Sequence, residues 1–185
     1  MLVNTGITVE DNLCIAVTGT PGAGKTTVCE LLSSPYNVLS LQELAEQNDC
    51  LGPVDEDDGS APLDIHKLSE IWDFDSKALT FVDGHLSHLL EVDAIVVLRC
   101  QPETLRARLE DRSYSPSKIT ANVEWEMLSG TWSELLEFEI EVPLLELDTS
   151  AMSAEELRES IVQWIDEGLP SASLADAASK ALSWL

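Results

Sequence analysis

Short apolar runs alternate along this chain with longer stretches in which apolar residues recur at helical spacing. Leu13 to Val17 is apolar throughout, as a strand buried on both faces of a parallel sheet would be, and Thr27 to Leu32 returns to a pattern a helix can use. Tyr36 to Leu41 predicts a second short strand, followed by a short helix over "LQELAEQND". The segment "CLGPVDEDDGSAP" is polar, acidic and punctuated by Gly and Pro, which predicts a loop. Asp64 is placed to cap a helix through Trp72 that carries Ile65, Leu68 and Trp72 on one face. "ALTFVDG" predicts a third strand that ends in an acid.

Ala94 to Cys100, "AIVVLRC", is the most apolar run and reads as a central parallel strand. Pro102 suits the first turn of the next helix, with Leu105 and Leu109 on one face. A loop, "SYSPSK", leads to a long helical region from about Ile119 to Glu139, bent near Gly130. "VPLLELD" is a last strand, and Ser153-Ala154-Glu155-Glu156 forms a capping box for a helix whose Leu157, Ile161, Trp164 and Ile165 share a face. A further helix, over about 171–185, is expected as an appended packing element. The alternation predicts an α/β fold: one domain over 1–185 with an open parallel sheet and helices on both faces.

Between the first strand and the first helix, Gly19-Thr20-Pro21-Gly22-Ala23-Gly24-Lys25-Thr26 fits G-x-x-x-x-G-K-[ST]. The glycines let successive backbone N–H groups approach phosphate oxygens, and the helix start adds the positive end of its dipole. Lys25 supplies a charge for the β- and γ-phosphates of ATP, and the Thr26 hydroxyl is placed to ligate Mg²⁺. This is a P-loop NTPase signature.

Charge narrows the partners. The 185 residues hold 34 acids against 10 Lys and Arg, a net charge of -24. Extended direct nucleic-acid binding is excluded, because phosphate neutralisation needs surface cations. No apolar span reaches membrane length, so a cytoplasmic protein without a membrane partner is expected. The acids either solvate a protein living in concentrated salt, as in a halophile, or attract a basic partner. Cys14, Cys29, Cys50 and Cys100 are scattered and read as reduced core thiols.

The scarce cations mark candidate chemistry. Arg106, Arg108, Arg112 and Lys118 crowd into one segment, and Arg108 and Arg112 are spaced i,i+4 so that both can project toward one spot. Such arginines offset charge on a transferring phosphoryl group, or pair with acids such as Glu103 and Glu110. Asp83 stands at the carboxyl end of a strand, where an α/β sheet binds ligands, and can hold Mg²⁺ or orient an attacking hydroxyl. His85 can carry a proton or position a group, or serve structurally, and His88 follows it closely. A GTPase fits poorly: Asp49-Cys50-Leu51-Gly52 is a lone D-x-x-G, and N-K-x-D is absent from the sequence. The size instead suits a nucleoside monophosphate kinase scaffold.

With "GTPGAGKTT", "FVDGHLSH", "VVLRC", "LRARLEDRSY" and "KITANVEWE", the chain resembles the small adenylate kinase and ATPase family of archaea and eukaryotic nuclei, the coilin-interacting nuclear ATPase type. The likeness runs from about Cys14 to Asp166. It implies that Gly22, Ala23, Gly24, Lys25, Thr26 and Thr27 bind ATP, that Asp83 and His85 form a D-x-H motif beside the metal and the transferred phosphate, and that Arg112 is the lid arginine. The acceptor region, for AMP or another monophosphate, would span about 40–63 and the lid about 111–121. The resemblance further implies adenylate kinase and ATPase activity, transient binding of the platform protein S-eleven, and a part in maturing the small ribosomal subunit and its rRNA. The chain departs from the family at Arg112-Ser113-Tyr114, where R-G-Y is usual, and over "LSLQELAEQ". A small-metabolite kinase on the same scaffold and an ATP-switched binding module are the alternatives.

Overall fold

The structure, a computed structural model, describes residues 12–54, 61–74 and 78–185. Five strands form one parallel sheet: β1 (Cys14–Thr18), β2 (Asn37–Ser40), β3 (Thr80–Asp83), β4 (Ala94–Arg99) and β5 (Leu144–Asp148), in the order β2-β3-β1-β4-β5. The middle strand is therefore β1, and the apolar run of β4 lies beside it, between β1 and β5. All five residues of β1 and all six of β4 are buried, which explains why both lack polar alternation.

Strand periodicity sorts the core into two layers. Ile15, Val17, Phe81, Val96 and Leu98 pack on one face with helices α1 (Lys25–Leu32), α4 (Pro102–Asp111) and α7 (Ala154–Asp166), through Val28, Leu105, Leu109, Leu157 and Ile161. Cys14, Ala16, Val82, Ile95 and Val97 face α2 (Leu41–Gln47), α3 (Ile65–Ile71) and α6 (Gly130–Glu137) on the other. This is the α/β fold of P-loop NTPases, and all four cysteines are free and buried.

The elements keep the predicted order, with local differences. Asp64 caps α3 by accepting from the Lys67 backbone N–H, and the Ser153/Glu156 capping box opens α7. Pro116 does not lie in a loop but opens α5 (Pro116–Met127), a position that suits its missing N–H. The expected long helix is two, α5 and α6, broken where Ser129 turns left-handed (φ 54) and the Trp125 indole occupies the space a Cβ on Gly130 would need.

The predicted C-terminal helix is much shorter, α8 (Leu174–Ser179), although Leu174, Ala177, Ala178 and Ala181 do pack against the Trp132 and Leu135 cluster. Beyond it, the Leu182 N–H donates to Glu146 and the Leu182 carbonyl accepts from Arg99. Those side chains take the backbone groups that helix continuation would use. The acidic residues 55–60 of the central loop lie outside the described residues.

Several lysines and arginines bond main-chain carbonyls at the ends of elements. Arg158 donates to Leu31 O at the end of α1 (3.1 Å), and Lys67 donates to Asp49 O just past α2 (2.6 Å). No helix among the described residues is long and apolar enough to cross a membrane.

Candidate active site

Register places the reactive groups on one level. Val17 pairs with Asp83 and Asp83 with Ser40, so three strands end together beneath the Gly19–Thr26 loop, where the chain turns from one side of β1 to the other. Gly19 fits because it has no side chain: a Cβ would overlap the Leu98 carbonyl of β4, and its φ is +136. Gly24, left-handed at φ 97, precedes α1 and leaves the first N–H groups of that helix open. Ala23 N–H donates to Thr20 O (3.0 Å), closing the loop, while the Ala23 side chain is fully buried and offers only its backbone.

Lys25 is 8% exposed and curls over the loop, its Nζ donating to Gly19 O (2.7 Å) and Thr20 O (3.0 Å). Burial pulls its ammonium down from 10.5 to about 8, against the opposing pull of Asp83. Beside it the Thr26 hydroxyl donates to Asp83 Oδ2 (2.8 Å). His85 stands exposed at the cavity rim, where partial desolvation by the surrounding protein, reinforced by the Lys25 charge, lowers its imidazole to about 4 and leaves it neutral near pH 7.

Two cavities flank the loop. One is walled by Lys25, Thr26, Asp83, His85, Arg112 and Tyr114, with Ser40, Leu41 and Gln42 across from them. The other is walled by Thr27, Arg108, Arg112, Thr149, Met152 and Leu157. Gly22, Gly24 and Arg112 line both. A more apolar cavity, between α3 and the α6–β5 connection, lies away from these groups and is lined by Ile65, Leu89, Phe138 and Val142.

Of the residues singled out from sequence, Gly22, Gly24, Lys25, Thr26, Asp83, His85 and Arg112 therefore meet in one cavity, and Thr27 lines its neighbour. Arg108 joins Arg112 at the second cavity but is held by the loop after β5, donating to Thr149 Oγ1 (3.0 Å) and Thr149 O (2.8 Å). Arg106 is exposed, and Lys118 lies over the Tyr114 ring at 5.3 Å. His88 is fully buried between Thr18 Oγ1 (2.7 Å) and Glu134 Oε2 (3.1 Å), a structural position rather than a wall of the phosphate cavity. Thr149 and Met152 escaped the sequence reading, although they follow a strand's carboxyl end, where ligand groups are expected.

Lys67, the one cation between Thr26 and Trp72, is spent on Asp49 O. Ser113, where glycine is usual in the resembled family, is left-handed at φ 58. Its N–H donates to Glu110 O and that of Tyr114 to Leu109 O, the bond pair that closes a helix end and aims Arg112 at the cavities.

The family described as "AAA domain" matches residues 15–129. A protein of Archaeoglobus fulgidus named "Putative adenylate kinase" is 44% identical over 80% of this chain and 80% of its own length. This chain belongs to that family. Relatives carrying the same name in Methanocaldococcus jannaschii (34%, over 92% of this chain and 96% of theirs) and Halobacterium salinarum (37%, over 88% and 96%) extend it. Among solved structures, a gluconokinase from Sinorhizobium meliloti has TM-score 0.54 at 17% identity, over 86% of this chain and 95% of that one. A deoxyadenosine kinase from M. mycoides has TM-score 0.50 at 15%, over 83% and 100%. At such identities these two establish the fold alone.

The donor set fits Mg²⁺. Among the described residues no group of three or more His, Cys, Asp and Glu could hold a metal by itself. The Thr26–Asp83 oxygen pair, however, suits an ion that binds through one or two protein oxygens and completes its shell with water and phosphate.

Proposed function

We propose that this protein is an adenylate kinase-type enzyme that transfers the γ-phosphoryl group of ATP to a nucleoside monophosphate, AMP first among them, and that hydrolyses ATP when no acceptor is bound. The observation that carries the reading is Arg112, which walls both cavities beside the loop. Donor and acceptor sites must meet where phosphorus changes partners, and an arginine facing both is placed for the charge that spreads there. The cavity bounded by Thr149 and Met152 takes the ATP base and ribose, and the one bounded by Ser40 and Gln42 takes the monophosphate.

In this reading the backbone of Gly22, Ala23 and Gly24 cradles the phosphates with Thr27, and Lys25 re-aims its ammonium from Gly19 O and Thr20 O to the β- and γ-oxygens. When bound, Mg²⁺ would supply positive charge to offset that of the phosphates. Thr26 and Asp83 hold its shell in place. An acceptor phosphate oxygen attacks the γ-phosphorus, the bond to the β-phosphate oxygen breaks, and two ADP result. That nucleophile is already an anion and needs no base, so neutral His85 orients groups by hydrogen bonding. With water as acceptor, Asp83 and His85 orient it.

A small-metabolite kinase is less supported, since Lys25 and Arg112 are the cations on the acceptor wall and Lys67 is engaged elsewhere. The test is to incubate the protein with ATP and Mg²⁺, with and without each monophosphate, and to separate the products. ADP formed faster with AMP, at two ADP per AMP consumed, is expected. ATP consumption indifferent to every acceptor overturns the kinase reading in favour of an ATP-driven switch.

The same resemblance supports a place in small-subunit maturation through transient, nucleotide-sensitive binding of the S-eleven protein to the acidic surface, in the cytoplasm of a salt-adapted archaeon. Pull-downs at high salt in each nucleotide state test it: equal retention of an unrelated basic protein reduces the contact to charge alone.

A further inference from the structure

A buried polar joint stands behind the phosphate loop, and the proposed reaction does not account for it. Its centre is Glu126 of α5, 2% exposed, whose carboxylate accepts from four donors on three segments. Oε2 accepts from Thr20 Oγ1 (2.5 Å). Oε1 accepts from Arg99 Nε (2.6 Å), the Cys100 N–H (3.2 Å) and the indole N–H of Trp184 (3.0 Å). Arg99, 1% exposed, also spans to Glu146 Oε1 (3.1 Å) and Leu182 O (3.1 Å), with the Trp184 ring 5.7 Å away.

We infer that Glu126 is a positioning residue for the phosphate loop, and that Trp184 in the C-terminal tail helps to hold it in place. The reasoning runs through Thr20. Its carbonyl accepts both the Ala23 N–H that closes the loop and the Lys25 ammonium (3.0 Å each). Its side chain has one hydrogen to give, and gives it to a buried carboxylate, a charge-assisted bond stronger than a neutral one. Fixing the side chain fixes the residue that turns the loop and parks the lysine. Packing alone would be served by an apolar residue at 126. A carboxylate there collects donors from the loop, the end of β4 and the tail, so displacement of one is felt by the others. The tail thus does more than cover a surface, since its indole N–H fills a lone pair of the same oxygen that Arg99 holds.

The inference rests on the nucleotide site proposed above, so the first measurement is calorimetric binding of Mg·ATP to the unaltered full-length chain. Absence of binding there removes the site itself. With binding established, the same titration and KM and kcat are measured for Thr20→Val, Thr20→Ser, Trp184→Phe and the Thr20→Val/Trp184→Phe double variant, each checked for an unchanged circular dichroism spectrum. Thr20→Val keeps shape and loses the hydroxyl, so ATP affinity falls on the order of 10-fold, the scale of a bond to a charged group. Thr20→Ser, which keeps the donor, stays within about 2-fold of the parent. Trp184→Phe keeps an aromatic ring but loses the N–H and weakens affinity ~3-fold, and that effect disappears in the Thr20→Val background, because two groups acting through one carboxylate do not add. Affinity of Thr20→Val equal to that of Thr20→Ser overturns the inference. A Trp184→Phe effect of equal size in both backgrounds, or none in either, overturns the tail's part in it.

Discussion

Lys25 gives the nucleotide site a pH dependence that can be worked from its surroundings. In the free protein, burial holds its ammonium near 8 rather than 10.5. A bound polyphosphate replaces two neutral carbonyl partners with anionic oxygens, which favours the charged form and drives the value back up. ATP therefore binds the protonated lysine. That form is about nine-tenths populated at pH 7 and about one-tenth at pH 9, so Mg·ATP affinity falls roughly 10-fold across that interval. At pH 8 each binding event takes up ~0.5 proton. Calorimetry in buffers of different ionisation heat, with Mg²⁺ saturating, reads this uptake directly. His85, near 4, does not titrate in this window, and the thiols of Cys14 and Cys29 lie well above it.

The stability sign is equally defined. The folded value is the lower one, so between about 8 and 10.5 the unfolded chain binds more protons, and this residue's contribution to stability rises with pH across that range. Lys25→Arg, charged throughout, abolishes the uptake. An affinity flat from pH 7 to pH 9 with no proton taken up refutes the reasoning.

Three further outcomes are expected. Asp83→Asn keeps shape and removes the charge beside Thr26, so turnover falls by at least ~100-fold, on the order of 2.7 kcal/mol in the barrier; an unchanged rate and Mg²⁺ dependence in steady-state assays would count against that role. Gly19→Ala drives a methyl group into the Leu98 carbonyl, which is backbone and cannot rotate away, at a φ of +136. The cost is on the order of 3 kcal/mol, read as a lower urea midpoint, and an unmoved midpoint contradicts it. Ser113→Gly relieves a left-handed serine at φ 58 at the end of α4 and stabilises by roughly 0.5 kcal/mol after the entropy of glycine is counted, so thermal unfolding should move up and not down.

The centre of the sheet was legible because β1 and β4 are buried on both faces. "LCIAV" and "AIVVLR" carry no alternation to misread, and the loop between β1 and α1 announces its chemistry in eight residues. The candidate site was legible where its lining follows a strand end or a helix end in sequence, as for Asp83 and Arg112. It was illegible where partners are remote. Arg108 is fastened by Thr149, 41 positions on, and Glu126 meets Thr20 across 106. Arg99 looked like the tail of a hydrophobic strand, yet it organises a polar joint. The Ala-rich C-terminus reads as one helix by local propensity, but Arg99 and Glu146 claim the Leu182 backbone, and tertiary bonding overrides propensity. His85 and His88, three residues apart, separate because the intervening turn sends one toward the phosphates and the other beneath β1.

The basic side chains that clasp carbonyls have a consequence for how the protein answers salt. Lys25, Lys67, Arg108 and Arg158 each hold a peptide oxygen at the end of a strand, loop or helix. A peptide oxygen carries no net charge and never titrates, so counter-ions do not compete for these clasps as they compete for exposed ion pairs. Salt then acts on the 34 acids, quieting their mutual repulsion, while the joints between elements stay fastened. Rising ionic strength should tighten this molecule before it loosens anything.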